Sequence, residues 1–238
     1  MSLKNKIAII TGASRGIGKA IAENLAEAGV HVLLTARNEQ ELNEAVVSIT
    51  RSGGKATAFP FDLSNETEVS DFIDQINSAG YQVDILINNA GIGSFEPVTE
   101  TDSNFWDQVM DVNVKGTFLM CKYLVPHMQK NNQGHILNVA SDVAKRTFAN
   151  GAMYCASKYA QDAFSSALRK EVREQNIKVS VLYPGKVETY FNNSVPGPNS
   201  NFERLQPADI AAAVNYILSA PAHVVIDELM IHPLSQEY

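Results

Sequence analysis

The fold of the chain is decided by residues 7–28, which read IAIITGASRGIGKAIAENLAEA. The apolar run 7–10 is typical of a buried strand and the stretch 19–28 of an amphipathic helix, with a glycine-rich turn between them. Glycines there let backbone amides and a helix N-terminus approach a pyrophosphate without a Cβ in the way. A purely connecting turn is the alternative, but a second strand at the expected distance favours the binding turn. The residues predicted to contact phosphates are Gly12, Ser14, Arg15, Gly16, Ile17 and Gly18.

The alternation of strand and helix continues along the whole chain. Predicted strands span 7–10, 30–34, 56–59, 83–87, 135–139, 178–182 and 224–231. Predicted helices span 16–28, 39–52, 66–79, 103–130, 153–175 and 207–219. The strands are too apolar to leave one face of a sheet in water, so helices must cover both faces. We therefore predict an α/β fold with a single domain over residues 1–238, a doubly wound Rossmann fold with a seven-stranded parallel sheet.

Composition limits the partners and the compartment. The 238 residues carry a formal net charge of −7 without a long basic run, which argues against nucleic acid or an anionic membrane as a partner. No apolar stretch approaches the roughly 18 residues that a membrane-spanning helix needs. Cys121 and Cys155 form no C-x-x-C pattern, and the five histidines form no metal-ligand pattern. We expect a cytoplasmic protein without a metal site that acts on a small molecule.

Positions after the second, third and fourth strands extend the predicted dinucleotide site. NAD(H) binders usually place Asp or Glu at the end of the second strand, where this chain has Thr35-Ala36-Arg37. A guanidinium binds a phosphate with two hydrogen bonds, so Arg37, assisted by Arg15, favours NADP(H) over NAD(H). A solvated Arg37 ahead of a helix capped by Asn38 is the alternative. The positions expected to bind the adenine or hold the neighbouring backbone are Asp62, Leu63, Asn89, Ala90 and Gly91.

Tyr154 and Lys158 stand four residues apart in an alanine-rich run without Gly or Pro, which predicts that they share one face of a helix. A cation about 4 Å from a phenol, in an effective dielectric of about 20, is worth about 4 kcal/mol, or roughly three pKa units. The pair is then able to exchange a proton near neutral pH. Taken alone, it also fits a half-buried tyrosine beside a lysine that extends into water.

Five motifs occur in order along the chain. They are Thr-Gly-x-x-x-Gly-x-Gly at 11–18, Asn-Asn-Ala-Gly at 88–91, a serine at 141 after the fifth strand, Tyr-x-x-x-Lys at 154–158 and Pro-Gly at 184–185. With this order and spacing, the chain resembles the short-chain dehydrogenase/reductase family over nearly its whole length. The resemblance implies a catalytic group of Asn113, Ser141, Tyr154 and Lys158. It also implies that Pro184, Gly185, Val187 and Thr189 flank the nicotinamide of the cofactor.

The implied roles match what the reduction of a carbonyl group needs. Tyr154 would deliver its phenolic proton to the oxygen on which negative charge grows, and Ser141 would donate a second hydrogen bond. Lys158 would lower the pKa of the phenol and reach the ribose hydroxyls, and Asn113 would hold water that resupplies protons. As isolated residues, Ser141 could simply end a strand and Asn113 could be a polar residue on a helix surface.

Residues 190–206 break the alternation, because they are rich in Asn, Pro and Gly and offer no face to a core. We predict a substrate lid over about 187–206, since long loops at a strand end often bind ligands. Candidate apolar residues of the substrate pocket are Phe95, Val143, Phe148, Tyr190 and Phe191. Arg146 and Lys186 are near enough in sequence to bind a carboxylate.

These features predict an NADPH-dependent reductase of a small ketone or aldehyde. The 3-oxoacyl-acyl-carrier-protein reductases of the same family are the alternative, but they usually end in Thr-Gly-Gln followed by Asp-Gly-Gly, whereas residues 224–233 read VVIDELMIHP. Arg169, Lys170 and Arg173 form a basic patch for an acidic carrier or, more ordinarily, a solvated face. A non-catalytic dinucleotide sensor is the remote alternative, because such proteins typically lack the Tyr or the Lys. As in relatives of the family, the helices at 103–130 and 153–175 suggest a homodimer or homotetramer.

Overall fold

The computed structural model describes residues 2–194, 197 and 203–237. The strands are β1 Ile7–Thr11, β2 His31–Ala36, β3 Lys55–Pro60, β4 Ile85–Asn88, β5 Gly134–Val139, β6 Ile177–Pro184 and β7 Glu228–Ile231. The helices are α1 Gly16–Glu27, α2 Glu39–Arg51, α3 Glu66–Ser78, α4 Ser103–Met110, α5 Gly116–Lys130, α6 Ala152–Val172 and α7 Pro207–Leu218. The strands form one sheet in the order β3-β2-β1-β4-β5-β6-β7, and all neighbouring pairs are parallel. The predicted seven-stranded parallel sheet is confirmed.

Buried side chains lie on both faces of the sheet. Along β1, Ile10 belongs to the core that α1, α2 and α7 cover, whereas its neighbour Ile9 belongs to the core under α3, α5 and α6. This alternation follows from the period of two along a strand, and it requires both faces to be apolar. Within the described ranges, no helix is both long and apolar enough to cross a membrane.

Side chains of the preceding loops mark where most of the early helices begin. Asn38, Asn65 and Asp102 accept hydrogen bonds from amides in the first turns of α2, α3 and α4. Helix α1 differs, because the residue before it is Arg15, which makes no capping hydrogen bond, and its first turn contains no acidic residue. The amides at this N-terminus therefore keep a partial positive charge without a side-chain acceptor.

The single helix predicted over 103–130 is wrong in one respect. Residues Asp111–Lys115 between α4 and α5 form a π-helical segment. It contains Asn113, whose side chain bonds to the backbone of Ile92 and to Ser157 on α6. Such widened helical turns often occur at functional sites. The hydrophobic periodicity of the sequence does not reveal them, because it continues as a helical pattern on both sides.

The last strand is shorter than predicted, because β7 begins only at Glu228; of residues 224–227, Asp227 accepts a hydrogen bond from the amide of Val181 on β6. The amide of Val224 donates to the carbonyl of Pro221 in a turn, and Lys178 Nζ donates to the carbonyls of both residues. The backbone groups of Val224, which the prediction assigned to a strand, are satisfied by this turn and by Lys178 instead.

Replacing Leu25 on α1 with alanine should destabilise the protein by about 2–5 kcal/mol, because the fully buried side chain would leave a cavity while the helix keeps a good helix former. Urea unfolding followed by circular dichroism measures the loss. The exposed Val47 on α2 is the matched control, and Val47→Ala should change the free energy of unfolding by less than about 0.5 kcal/mol. Equal losses in both variants would contradict the assignment of this core.

Candidate active site

The glycine-rich turn and the segment after β4 are joined at the carboxyl edge of the sheet. Thr11 Oγ1 accepts hydrogen bonds from the amides of Asn89 and Ala90, and Asn89 Nδ2 donates to the carbonyls of Thr11 and Gly12 at 3.0 and 3.2 Å. The sequence-based expectation that Asn89 holds the neighbouring backbone agrees with these contacts. They fix the turn directly before the uncapped N-terminus of α1.

Three positions of the turn require glycine for geometric reasons. Gly12 and Gly16 have φ angles of 64° and 57°, a region that L-residues rarely adopt. A Cβ on Gly18 would lie 2.2 Å from the carbonyl oxygen of Gly12 and 2.6 Å from Asn89 Nδ2. The glycines therefore allow the close approach of β1, α1 and the segment after β4, and Ser14 and Ile17 complete the turn between them.

The two arginines predicted to bind a phosphate are exposed and follow the adjacent strands β1 and β2. The Arg15 guanidinium lies 5.2 Å from the ring centroid of Tyr190. Arg37 lies near Asp62: partial burial raises the pKa of this carboxyl, but hydrogen bonds from Ser64 and the charge of Arg37 hold the pKa below its usual value. Leu63 is buried against Gly116 at the start of α5. These residues lie along the same sheet edge as the glycine-rich turn.

The segment after β6 runs from Ser141 towards the glycine-rich turn. Ser141 Oγ lies 3.4 Å from the carbonyl oxygen of Pro184, and the amide of Gly185 donates to the carbonyl of Ile231. Val187 bridges to Leu205, and a Cβ on Gly16 would lie 3.7 Å from the Thr189 methyl group. The four positions that the resemblance assigned to the nicotinamide thus lie along one segment, which starts beside Ser141 and reaches the N-terminus of α1.

Tyr154, Lys158 and Ser141 meet at this edge. Ser141 lies close enough to the Tyr154 phenol to influence its pKa, and Lys158 Nζ lies 5.7 Å from the centroid of the Tyr154 ring. Lys158 is only 3% exposed, and its ammonium donates to the Val139 carbonyl at 3.2 Å and to Gln161 Oε1 at 2.8 Å. The alternative of a lysine extending into water is excluded.

Burial controls the ionisation of both groups. Burial raises the pKa of Tyr154, the hydrogen bond from Ser141 opposes the rise, and the negative charge of Asp142 adds to it. Burial lowers the pKa of Lys158 to about 7. The lowered pKa expected for Tyr154 from its spacing to Lys158 is not met, because removal from water raises the pKa and, among the described residues, the only opposing cause is Ser141.

Asn113 is fully buried, so it is not a residue of a helix surface. Its Oδ1 accepts from the amide of Ile92 at 2.9 Å, and its Nδ2 donates to the carbonyl of Ile92 at 2.9 Å and to Ser157 Oγ at 3.0 Å. A Cβ on Gly91 would lie 3.4 Å from Asn113 Oδ1 and 3.5 Å from Lys158 Nζ. The Asn113 side chain therefore holds the segment after β4 against α6.

Three phenylalanines from different loops gather around Tyr154. The ring centroid of Phe191 lies 5.1 Å from that of Tyr154, and Phe95 lies 5.8 Å from Tyr154 and 5.1 Å from Phe148. Phe95 and Phe148 remain 44% and 41% exposed. Of the other predicted pocket residues, Val143 is buried and Tyr190 lies over Arg15.

The base of the predicted lid is closed by backbone hydrogen bonds. The amide of Glu188 donates to the carbonyl of Leu205, and the amide of Leu205 donates to the carbonyl of Lys186, both at 2.8 Å. Residues Phe191–Asn193 form a short helical turn. Residues 195, 196 and 198–202 of the predicted lid lie outside the described residues.

Sequence reasoning missed the residues that surround Asp142. Asp142 is buried, accepts hydrogen bonds from Ser141, Arg146 and Gln236, and has His232 Nε2 at 3.4 Å. Arg146, which we considered for binding a carboxylate, is thus paired with a carboxylate of the protein itself. The position of Asp142 next to Ser141 was the available signal. Nothing local marked Gln236, which lies 94 residues away in sequence.

Comparisons with known proteins agree with this geometry. The family profile described as short chain dehydrogenase matches residues 6–199. An uncharacterised oxidoreductase of Staphylococcus saprophyticus is 34% identical over 235 residues, which cover 98% of this chain and 100% of the relative.

Two solved structures are also similar over almost their full length. An alcohol dehydrogenase of the archaeon Thermococcus sibiricus, complexed with 5-hydroxy-NADP, has a TM-score of 0.93 and 31% identity over 99% of both chains. A metagenomic short-chain oxidoreductase in complex with NADP has a TM-score of 0.87 and 32% identity, covering 98% of this chain and 99% of that one. Profile, sequence and fold therefore agree that the chain belongs to the short-chain dehydrogenase/reductase family of oxidoreductases.

Proposed function

We propose that the protein is an NADP(H)-dependent oxidoreductase that reduces a ketone or aldehyde to an alcohol, with Tyr154 as the general acid. The observation that carries the proposal is the position of the Tyr154 phenol beside Ser141 and one helical turn before the buried Lys158, whose Nζ lies 5.7 Å from the Tyr154 ring centroid. A phenol paired with a second hydroxyl donor is suited to meet negative charge that develops on one oxygen.

The residues present fit a 2′-phosphorylated dinucleotide. The uncapped N-terminus of α1 and its glycines suit the pyrophosphate, and no carboxylate stands at the end of β2 to bind a ribose 2′-hydroxyl. The exposed Arg15 and Arg37 are suited to the 2′-phosphate, and both solved structures described above hold NADP or a derivative of it. Bound NADPH supplies the hydride. The remaining residues proposed to hold it are Asp62, Leu63, Asn89, Ala90, Gly91, Lys158, Pro184, Gly185, Val187 and Thr189.

The protein's own groups then manage the proton. The raised pKa keeps Tyr154 protonated at neutral pH, so the phenol can donate to the substrate oxygen while Ser141 donates a second hydrogen bond. Lys158 loses its charge as the pH rises through its lowered pKa, so the positive charge beside Tyr154 is present below about 7 and declines above it. When an alcohol is oxidised, the deprotonated phenolate of Tyr154 accepts the proton of the alcohol, so the raised pKa of Tyr154 makes reduction the direction favoured at neutral pH.

The phenylalanines around Tyr154 support an uncharged, apolar substrate. A carbonyl that reaches Tyr154 and Ser141 brings the rest of its molecule against Phe95, Phe148 and Phe191. The nearby Arg146 is engaged by Asp142. A small carboxylate substrate therefore gains less here than a flat apolar one.

The 3-oxoacyl-acyl-carrier-protein reductase alternative has weaker support. Arg169 of the basic patch donates to the carbonyls of Val179 and Asp227 and pairs with the Asp227 carboxylate at 3.2 Å. Its guanidinium braces β6 against the segment before β7, which leaves less of the patch for an acidic carrier. The non-catalytic sensor is disfavoured by the complete set of Asn113, Ser141, Tyr154 and Lys158.

A homodimer or homotetramer is proposed through the helices α4, α5 and α6. They carry the exposed aromatic residues Trp106, Phe118 and Tyr159. Aromatic side chains of this size are enriched in protein interfaces.

Oxidation of NADPH should be fastest with neutral aryl or bulky alkyl aldehydes and ketones, because their apolar parts can pack on the three phenylalanine rings. The measurement is the loss of absorbance at 340 nm, a property of NADPH, against a panel that also contains a 3-oxoacyl thioester. The reverse reaction is tested with serine and 3-hydroxy acids. Preference for the thioester would favour the alternative, preference for the acids would reject the apolar pocket, and cofactor binding without turnover would favour the sensor.

Tyr154→Phe should reduce kcat by at least about 100-fold, because it removes the proton donor and leaves the ring in place. The dissociation constant of NADPH, measured by fluorescence titration, should change little. Tyr216→Phe on α7 is the control, since Tyr216 is exposed and lies on another helix. Comparable losses of binding and turnover in Tyr154→Phe would contradict the role as an acid.

Arg37→Asp combined with Arg15→Gln should shift the ratio of the NADPH and NADH dissociation constants towards NADH by about 100-fold or more, since each lost charged hydrogen bond is worth about 1.5–3 kcal/mol. Calorimetric titration measures both constants without turnover. Arg51→Asp, an exposed change of the same kind at the end of α2, should leave the ratio unaltered. An unchanged ratio in the double variant would place the 2′-phosphate elsewhere.

A further inference from the structure

The Lys158 ammonium is held by a side chain that lies one helical turn further along α6. Gln161 is 1% exposed, and its Oε1 accepts a hydrogen bond from Lys158 Nζ at 2.8 Å. The other acceptor on Nζ is the backbone carbonyl of Val139, at the longer distance of 3.2 Å. An ammonium has three protons, so one donor remains for the site.

The orientation of the Gln161 amide follows from its other contact. Thr117 Oγ1 donates its single proton to the carbonyl of Asn113 at 2.8 Å, so it can only accept from Gln161 Nε2, at 2.9 Å. Lys158 offers only donors, so Oε1 must face it. Both ends of the amide are satisfied in one orientation alone, and the chain of bonds runs from Lys158 to the backbone of the π-helical segment.

We propose that Gln161 is a positioning residue, which holds the Lys158 ammonium in place through an amide whose orientation Thr117 fixes. The role of Lys158 in catalysis rests on the function proposed above, whereas its contact with Gln161 does not. In this arrangement the carbonyl of Gln161 offsets part of the cost of burying the ammonium, and it favours the protonated lysine.

The surroundings of Lys158 make Gln161 the main polar influence on it. The side chains and backbone groups near Nζ from β5, the segment after β4 and the π-helical segment belong to Val139, Gly91 and Asn113, none of which ionises. On α6, the ionisable group that faces it is Tyr154, with its ring centroid at 5.7 Å. Burial is the cause that lowers the pKa of Lys158, and no charged neighbour among the described residues contributes to the shift. Substitutions at Gln161 should therefore shift the titration of Lys158 directly.

Gln161→Leu should lower the pKa of Lys158 by about one unit, because it removes an acceptor that stabilises the charged form, and Gln161→Glu should raise it by at least as much. The measurement is the titration of the 13Cε-labelled Lys158 resonance in the full-length protein without added cofactor. The resonance is assigned by its absence in Lys158→Met. The loss of kcat as the pH rises should shift in the same two directions, to lower pH in Gln161→Leu and to higher pH in Gln161→Glu.

Matched variants distinguish a positioning role of Gln161 from a role in packing alone. Thr117→Val removes the acceptor of Gln161 Nε2, so Gln161 is held less firmly and the pKa of Lys158 should fall by less than in Gln161→Leu, whereas Thr117→Ser keeps the hydroxyl and should retain the wild-type value. Gln40→Leu on the exposed face of α2 makes the same chemical change far from the site and should have no effect. If Gln161→Leu fails to fold, Gln161→Glu and the Thr117 pair still give the test.

Two results would overturn the proposal. One is an unchanged Lys158 titration in both Gln161 variants, and the other is a shift in the same direction in both. Because the titration needs neither cofactor nor substrate, its outcome is independent of the substrate panel. Loss of turnover in Tyr154→Phe together with an unmoved Lys158 titration would retain the proposed function and reject the role of Gln161.

Discussion

The buried ammonium of Lys158 is the constraint on which the arrangement of the site depends. A cation removed from water is costly unless its protons are accepted, and here the carbonyl of Val139 and the amide of Gln161 accept them. These bonds tie α6 to β5, and the bond of Gln161 to Thr117 continues to the π-helical segment. The same helix carries Tyr154, which is thereby held beside Ser141 at the end of β5. The geometry that suits proton transfer is a consequence of satisfying one buried charge.

The order of the strands brings this site to the dinucleotide turn. After β3 the chain returns across the sheet, and β4 pairs with the other side of β1. Ligands bind at such a switch point because the loops on its two sides run in opposite directions and leave a crevice. Here hydrogen bonds between Thr11 and Asn89 join the glycine-rich turn to the segment after β4, which passes beside Lys158.

The sequence predicted the features that local chemistry determines. The apolar strands, the glycine-rich turn and the spacing of Tyr154 and Lys158 each depend on residues a few positions apart. Partnerships over long separations were not predictable: Gln161 with Thr117 and Asp142 with Gln236 required the fold to bring them together. The direction of the Tyr154 pKa shift was missed for the same reason, because spacing reveals a neighbouring charge and only the packed structure reveals burial.

The bridge between Val187 and Leu205 brings the two ends of the predicted lid together. These ends are fastened side by side by the hydrogen bonds among Lys186, Glu188 and Leu205, so the span between them leaves and rejoins the scaffold at one place. Because these ends are fastened to each other, a change in the length of chain between them need not be transmitted to β6 or α7. Under the proposed function, exchange of this span is a way to change substrate preference without changing Tyr154 or Lys158.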